Sequence, residues 1–260
     1  MGAILDRCST VLWVATMPLN MAPLHALAGA GQQPTATCSY LPSGSLLVGL
    51  RNLFNDRSRA RRALVFSNPT GDLPRCSEEG RAVSGRLVRL GVEVVHRELG
   101  GATREFLIHH LASFDLFHYC GHGYTQGADG LGEVLRLADG PLRVADVLRA
   151  RPRLLFAFVN ACSAGQQKAA PYGELTGAAN LLLASGVGAV LAPLVPVQDR
   201  LGFAVSEFVY DRLAEGMPLG EMFSRLIGHR ARFDRWPDMI YRLHGLPELT
   251  PFGGPRSPSG

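Results

Sequence analysis

Lysine is almost absent from this 260-residue chain, since Lys168 is the single lysine among 26 basic residues. The densest basic run holds Arg57, Arg59, Arg61 and Arg62, with no aromatic residue interleaved. A nucleic-acid-binding protein usually has a basic stripe with aromatic residues or a recognisable binding module. Despite the net charge of +4, we therefore expect no nucleic acid partner.

Long apolar runs and paired cysteines are also missing. No stretch approaches the roughly 20 apolar residues of a membrane span, so no membrane association is expected. In the N-terminal segment, Asp6, Arg7 and several prolines interrupt the pattern of a signal peptide, and secretion is the alternative left open. The five cysteines are an odd number, and Cys120 and Cys162 lie in strand-like segments, which predicts reduced thiols in the cytoplasm.

What the sequence does contain is an alternation of short apolar runs and helical patterns. We predict strands at 9–16, 62–67, 92–96, 115–120, 154–160 and 188–194, and helices at 77–90, 103–112, 144–150, 173–185, 199–215 and 218–232. One hairpin is predicted over 133–144. Such alternation indicates an α/β fold with a mostly parallel sheet covered on both faces.

The chain reads as one main domain at residues 41–248. Residues 1–40 are predicted to form an N-terminal segment that packs on or leads into it, and 249–260 a disordered tail. At the start of the first long helix, Ser77 is predicted to be the cap, with Glu78 and Glu79 in the first turn, where the helix dipole favours acids.

Reactive side chains follow two of the predicted strands. The third core strand ends in Cys120-Gly121-His122-Gly123, and the fourth ends in Asn160-Ala161-Cys162. Ligands of such sheets bind beyond the carboxyl ends of the strands. If the two strands are neighbours, His122 and Cys162 face each other, and an imidazole beside a thiol suits nucleophilic catalysis. The backbone N–H groups of Gly123 and Cys162 are candidates for stabilising an oxyanion.

Several motifs, in order, resemble the CHAT domain family, a branch of the caspase-like cysteine peptidases. The resemblance is carried by MAPLHAL, SYLPSGSLL, SNPTGDLPRCSEEG, GGATREFLIHHLASFDLFHYCGHG, LRLADGPLRVADVL, FVNACSAG, GELTGAANLLLASGVGAVLAPLVPVQD and YRLHGLPEL. Two positions depart from the family pattern, Val195 in place of Trp and Leu246 in place of Asp.

The resemblance implies a caspase-like, three-layer α/β/α fold and a cysteine endopeptidase that cleaves a protein or peptide. His122 and Cys162 would form the catalytic dyad, and Gly123 would line the oxyanion site. Glu174 and Asp199 match recurrent acidic positions that either begin helices or touch the substrate groove. No cofactor and no metal are implied. The resemblance does imply an activating partner protein and a role in bacterial signalling or defence.

The same residues allow three other interpretations. Zinc bound by His118, Cys120, His122 and Cys162 is possible in principle, but the spacing is not that of a usual zinc site. A catalytically silent caspase-like regulatory or assembly module is the main alternative, because a fold does not determine a function. A nucleotide site at SNPTGDLP matches neither the dinucleotide-binding nor the P-loop pattern.

Overall fold

The structure is a computed structural model of the chain. It describes residues 8–15, 19, 22–27, 36–55, 59–123, 133–161, 168–169, 175–176, 178–228 and 240–253. All structural statements below refer to these residues.

A mostly parallel sheet forms the centre of the described molecule. Its strands are β1 (Thr10–Trp13), β2 (Thr37–Tyr40), β3 (Arg62–Ser67), β4 (Glu93–Glu98), β5 (Leu116–Gly121), β8 (Phe156–Ala161), β11 (Ala189–Pro193) and β12 (Tyr241–Gly245). Their spatial order is β1-β2-β12-β11-β8-β5-β3-β4. Neighbouring strands run parallel except for the antiparallel pair β11–β12. The prediction of a mostly parallel sheet is confirmed.

Two short antiparallel pairs lie outside the central sheet. The first joins β6 (Glu133–Leu137) to β7 (Gly140–Arg143) and confirms the predicted hairpin. The second joins β9 (Lys168–Ala169) to β10 (Leu175–Thr176).

Helices cover both faces of the sheet, as predicted. They are α1 (Leu24–Leu27), α2 (Gly44–Phe54), α3 (Pro74–Arg89), α4 (Arg104–His110), α5 (Val144–Ala150), α6 (Ala178–Ala184), α7 (Asp199–Ala214) and α8 (Leu219–Gly228). Helices α3 and α7 pack together on one face, and α4, α5 and α6 form a row on the other. None of the helices in the described ranges is long and apolar enough to cross a membrane.

The two strands at the centre explain why the core lies where it does. Every residue of β5 and of β8 is buried, which fits a parallel strand with helices on both sides. From β3 the chain moves outward to β4 and then returns to β5 on the other side of β3. The connections that follow β3 and β5 therefore diverge, which opens a crevice at the carboxyl ends of these strands.

The start of α3 differs from the prediction. The helix begins at Pro74 rather than after a cap at Ser77, because proline is well suited to the first helical position. Glu79 consequently lies in the second turn, where it is buried, instead of at a solvated helix start.

Strands β2 and β12 were not predicted. In β12, Arg242 and His244 are both fully buried, so the strand lacks the apolar signature of a core strand. The domain boundaries at residues 40 and 248 stay predictions, although β1 and β2 pair within the central sheet.

His244 gives the fold a dependence on pH. Neither of its ring nitrogens has a hydrogen-bond partner within the described part of the chain. Burial, and then the charges of Arg242 and His25, lower its pKa from 6.5 to about 3. Since the unfolded chain binds the proton more readily, stability is full above pH 6.5 and is lost as the pH falls from there towards 3.

Replacing His244 by leucine should therefore reduce the loss in the free energy of unfolding as the pH falls. Between pH 6.5 and pH 4.5 the variant should lose about 2–3 kcal/mol less free energy of unfolding than the wild type. Denaturant titrations at both pH values measure this difference. The exposed His109 provides the matched control, and a His109→Leu curve that flattens equally would refute the explanation.

Candidate active site

His122 lies directly after β5, and Asp72 lies in the loop after β3. The Nε2 atom of His122 is 3.0 Å from Oδ2 and 3.1 Å from Oδ1 of Asp72. An ionised carboxylate only accepts hydrogen bonds, so Nε2 carries a hydrogen and donates it to Asp72. This contact leaves Nδ1 as the ring nitrogen that is available to exchange a proton.

Asp72 is ionised at neutral pH. The Thr70 hydroxyl donates a hydrogen bond to its carboxylate, and this bond, followed by that from His122, holds the pKa of Asp72 below its usual range. The pair is open to solvent, with the side chains of His122 and Asp72 exposed by 40% and 62%. An ion pair this exposed contributes little to the stability of the fold.

Asn68 shapes the loop that carries Asp72. Its φ of +46° lies in the left-handed region, which asparagine tolerates better than most residues. Its side chain accepts a hydrogen bond from the Leu73 amide at 2.9 Å and donates one to the Ser77 hydroxyl at 3.0 Å. The backbone N–H of Asn68 donates a hydrogen bond to the Cys120 carbonyl oxygen at 2.9 Å. The loop is thus fixed both to α3 and to the end of β5.

The backbone of His122 is also held. The Tyr119 hydroxyl lies 2.8 Å from the His122 carbonyl and 2.7 Å from the Arg136 carbonyl, and the Arg136 amide donates to the His122 carbonyl at 3.1 Å. Gly123 forms an isolated antiparallel bridge with Leu135. At this bridge, the His122 carbonyl accepts the hydrogen bond from the Arg136 amide, so the bond does not involve the amide of Gly123.

Strands β5 and β8 are adjacent and parallel, as the sequence argument required. Their register pairs Cys120 with Asn160 and Gly121 with Ala161. The next residues along the two chains are His122 and Cys162. Cys162 and Glu174 lie outside the described residues, so the structure gives no distance to the Cys162 sulfur.

A cleft of about 110 Å³ opens beside His122. It is smaller than the roughly 300–1,000 Å³ of a typical small-molecule pocket and is of the size of a single side chain. The residues that line it are Leu73, Cys76, Glu79, Cys120, Gly121, His122, Asn160, Ala161, Val197, Gln198, Asp199 and Gly202. Asp199 thus begins α7 and also lines the cleft, so both interpretations of this residue are compatible with the structure.

His118 and Cys120 are buried, in contrast to the half-exposed His122. Both contact the buried carboxylate of Glu79. In the described ranges, no group of three or more His, Cys, Asp or Glu side chains is placed to hold a metal ion. Because Cys162 lies outside those ranges, the zinc hypothesis is not tested by this observation.

Sequence reasoning missed Asp72 and misplaced Glu79. The loop SNPTGDLP carries part of the family resemblance and does not fit a nucleotide site, but Asp72 within it was not predicted as a site residue. An acid in the loop after a core strand beside β5 is the signal that could have identified it. Glu79 lies three residues after Cys76, so both residues share one face of α3. Both line the cleft, and this spacing is the sequence signal that could have linked Glu79 to the site.

For the peptidase activity that the family resemblance implies, replacing Asp72 by alanine should lower kcat/KM about tenfold, because the imidazole loses its hydrogen-bond acceptor. The exposed Glu105, on the opposite face of the sheet, provides the control as Glu105→Ala. Unchanged kcat/KM in Asp72→Ala would show that the contact with His122 has no catalytic role.

Known proteins resemble this chain in sequence and in fold. The sequence model of the CHAT domain matches residues 4–225. No curated protein sequence matches the chain. Two crystal structures of the Saccharomyces cerevisiae separase–securin complex are similar in fold. The one at 3.0 Å resolution is 20% identical and has a TM-score of 0.66. The one at 2.6 Å is 19% identical and has a TM-score of 0.67.

In both cases the similarity covers 91% of this chain but only 15% or 16% of the separase complex chain. Identity this low shows the fold and leaves the activity open. The family match spans most of the chain, and its boundaries enclose β1 to α7 together with the crevice beside His122. The chain therefore belongs to the CHAT domain family and has the caspase-like α/β fold seen in separase.

Proposed function

We propose that this protein is a cysteine endopeptidase in which Cys162 is the nucleophile and His122 the general acid and base. The observation that carries the proposal is the register of β5 and β8, which pairs Gly121 with Ala161 immediately before these two residues. Membership of the CHAT domain family supports it independently.

The contact between His122 and Asp72 supports a defined proton path. With Nε2–H donated to Asp72, Nδ1 takes the proton of the Cys162 thiol. The thiolate attacks the scissile carbonyl carbon, and the oxyanion that forms accepts hydrogen bonds from the N–H groups of Gly123 and Cys162. Nδ1–H then protonates the leaving amine. Water, deprotonated by His122, hydrolyses the acyl-enzyme and releases Cys162.

The substrate would bind along the crevice as an extended peptide, with one side chain in the cleft. Asp199 lines that cleft, and Glu174 is proposed to lie along the same groove. In keeping with the family resemblance, we propose a cytoplasmic enzyme that acts on a protein in bacterial signalling or defence and is activated by a partner protein. The separase structures were determined with securin bound, which makes control by a partner a reasonable proposal for this fold.

The decisive experiment is cleavage of a proteome-derived peptide library by the wild-type protein beside Cys162→Ala. The proposal expects cleavage products that depend on Cys162. Equal products from both proteins would contradict it. If neither protein cleaves, an electrophilic peptide probe separates a silent module from an enzyme without its activator, because an activated Cys162 reacts faster than Cys8, Cys38, Cys76 or Cys120.

A further inference from the structure

A buried carboxylate lies beneath the crevice and contacts side chains from three elements. Glu79 of α3 is 1% exposed. Its Oε2 accepts a hydrogen bond from the Cys120 thiol of β5 at 3.0 Å. Its Oε1 accepts one from the Asn160 amide of β8 at 2.8 Å and another from the Ser206 hydroxyl of α7. The Nε2 atom of His118 lies 3.2 Å from the same Oε1.

Two of these donors occupy matching places on the strands that lead to the proposed dyad. Cys120 and Asn160 are register partners across β5 and β8. Cys120 precedes His122 by two residues, and Asn160 precedes Cys162 by two residues. The carboxylate of Glu79 therefore joins the ends of both strands from below, just before each reactive residue.

Asn160 is held on its other side as well. The Tyr241 hydroxyl of β12 donates to Asn160 Oδ1 at 2.8 Å, which fixes the orientation of the amide so that its Nδ2 faces Glu79. Gly202 of α7 approaches so closely that a methyl group there would lie 2.7 Å from Asn160 Nδ2. The Asn160 side chain is thus held by Tyr241 and enclosed by Gly202, and its Nδ2 donates to Glu79.

The network is charged even though it is buried. Burial opposes ionisation, but His118 and the Ser206 and Asn160 donors outweigh it and lower the pKa of Glu79. Burial, together with Cys76 and Glu79, raises the pKa of Cys120, so its thiol stays protonated and keeps donating to the carboxylate. Apolar residues would often stabilise such a site equally well, so a buried carboxylate with several donors is weak evidence for a role in stability alone.

We propose that Glu79 is a positioning residue for the proposed peptidase reaction and sets the separation of His122 and Cys162 by clamping the ends of β5 and β8. This inference rests on the proposed function. A misplacement of about 1 Å between reacting groups costs on the order of 10²-fold in rate. A residue that acts in this way affects kcat while leaving substrate binding, and hence KM, nearly unchanged.

The test compares Glu79→Gln with Val83→Ala, a buried position on the same helix that does not reach the crevice. Both variants should be less stable, and both are assayed where thermal unfolding shows them to be folded. Glu79→Gln should lower kcat between about 10- and 100-fold with KM unchanged within about twofold, whereas Val83→Ala should keep the wild-type kcat. Equal kcat values in the two variants and the wild type would overturn the proposal.

A second pair of variants covers the case that Glu79→Gln does not fold. Cys120→Ser keeps a donor to Glu79 Oε2, whereas Cys120→Ala removes it with little change of volume. The alanine variant should lose kcat about tenfold, and the serine variant should restore most of it. Equal loss in both, or none in either, would contradict the clamp.

A readout that needs no peptide substrate separates this proposal from the proposed function. It is the rate of Cys162 alkylation by iodoacetamide at pH 7, relative to that of Cys8 in the same sample. In Glu79→Gln and Cys120→Ala this rate should fall about fivefold or more, because a displaced imidazole stabilises the thiolate less. If wild-type Cys162 is itself no more reactive than Cys8, the proposed function fails. If it is more reactive but unaffected by either variant, only the clamp fails.

Discussion

Replacing His122 by alanine is expected to lower kcat/KM for peptide cleavage about 10³-fold or more, since general acid–base catalysis alone contributes about 10²–10⁴-fold. The loss should fall mainly on kcat, because the imidazole acts on protons that move in the transition state rather than on bound substrate. Steady-state kinetics on a peptide selected from the library measures the effect.

The fold should tolerate this substitution. The His122 side chain is 40% exposed, and its backbone is fixed by Tyr119 and Arg136 without help from the ring. Thermal unfolding of His122→Ala should therefore match the wild type within about 1 kcal/mol. His109→Ala is the control for removing an exposed histidine. A kcat/KM within a few-fold of the wild type would remove His122 from the mechanism.

The largest expected effect on stability is that of Gly245→Ala. Gly245 ends β12 with a φ of +92°, where a side chain costs roughly 1–2 kcal/mol. A methyl group there would lie 2.3 Å from the Gly188 carbonyl oxygen and 3.0 Å from the Ala189 Cα. These are backbone atoms of the neighbouring region of the sheet, so overpacking adds about 1–3 kcal/mol. The sum is a loss of about 2–5 kcal/mol in the free energy of unfolding.

Gly91→Ala separates the two contributions. Gly91 has a similar φ of +78° with open space around it, so alanine there should cost about 1–2 kcal/mol and no more. Chemical denaturation of the two variants gives the difference directly. Equal losses would show that the contact with Gly188 does not restrict position 245.

The sequence predicted the elements whose apolar pattern is plain. In β8, all six residues from Phe156 to Ala161 are buried, and a continuous apolar run predicts such a strand well. The β6–β7 hairpin was predictable because it contains Asp139-Gly140, and Asp-Gly is a favoured turn sequence in hairpins. Strand β12 was not predicted, because its polar residues contact partners that are distant in sequence. Arg242 donates a hydrogen bond to the Ala22 carbonyl, and the His244 ring packs beside that of Tyr40. No local sequence pattern reveals such contacts.

The candidate site was predictable only in part, for a similar reason. His122 follows a core strand in a recognisable motif, and it lines the cleft in the structure. Asp72 and Glu79 are distant from it in sequence, and they reach it through the order of the strands and the packing of α3. Sequence periodicity shows that Glu79 belongs to a helix, but not that the helix turns this residue towards Cys120 and Asn160.

The central claim is that His122 activates the thiol of Cys162, and the most direct measurement is the pH dependence of Cys162 alkylation by iodoacetamide. Mass spectrometry of the modified peptides gives the rate, with Cys8 as the internal reference. In the wild type, Cys162 should stay reactive well below pH 8.5, the usual thiol pKa. In His122→Ala its profile should shift up to that of an ordinary thiol. Superimposable profiles in the two proteins would contradict the account.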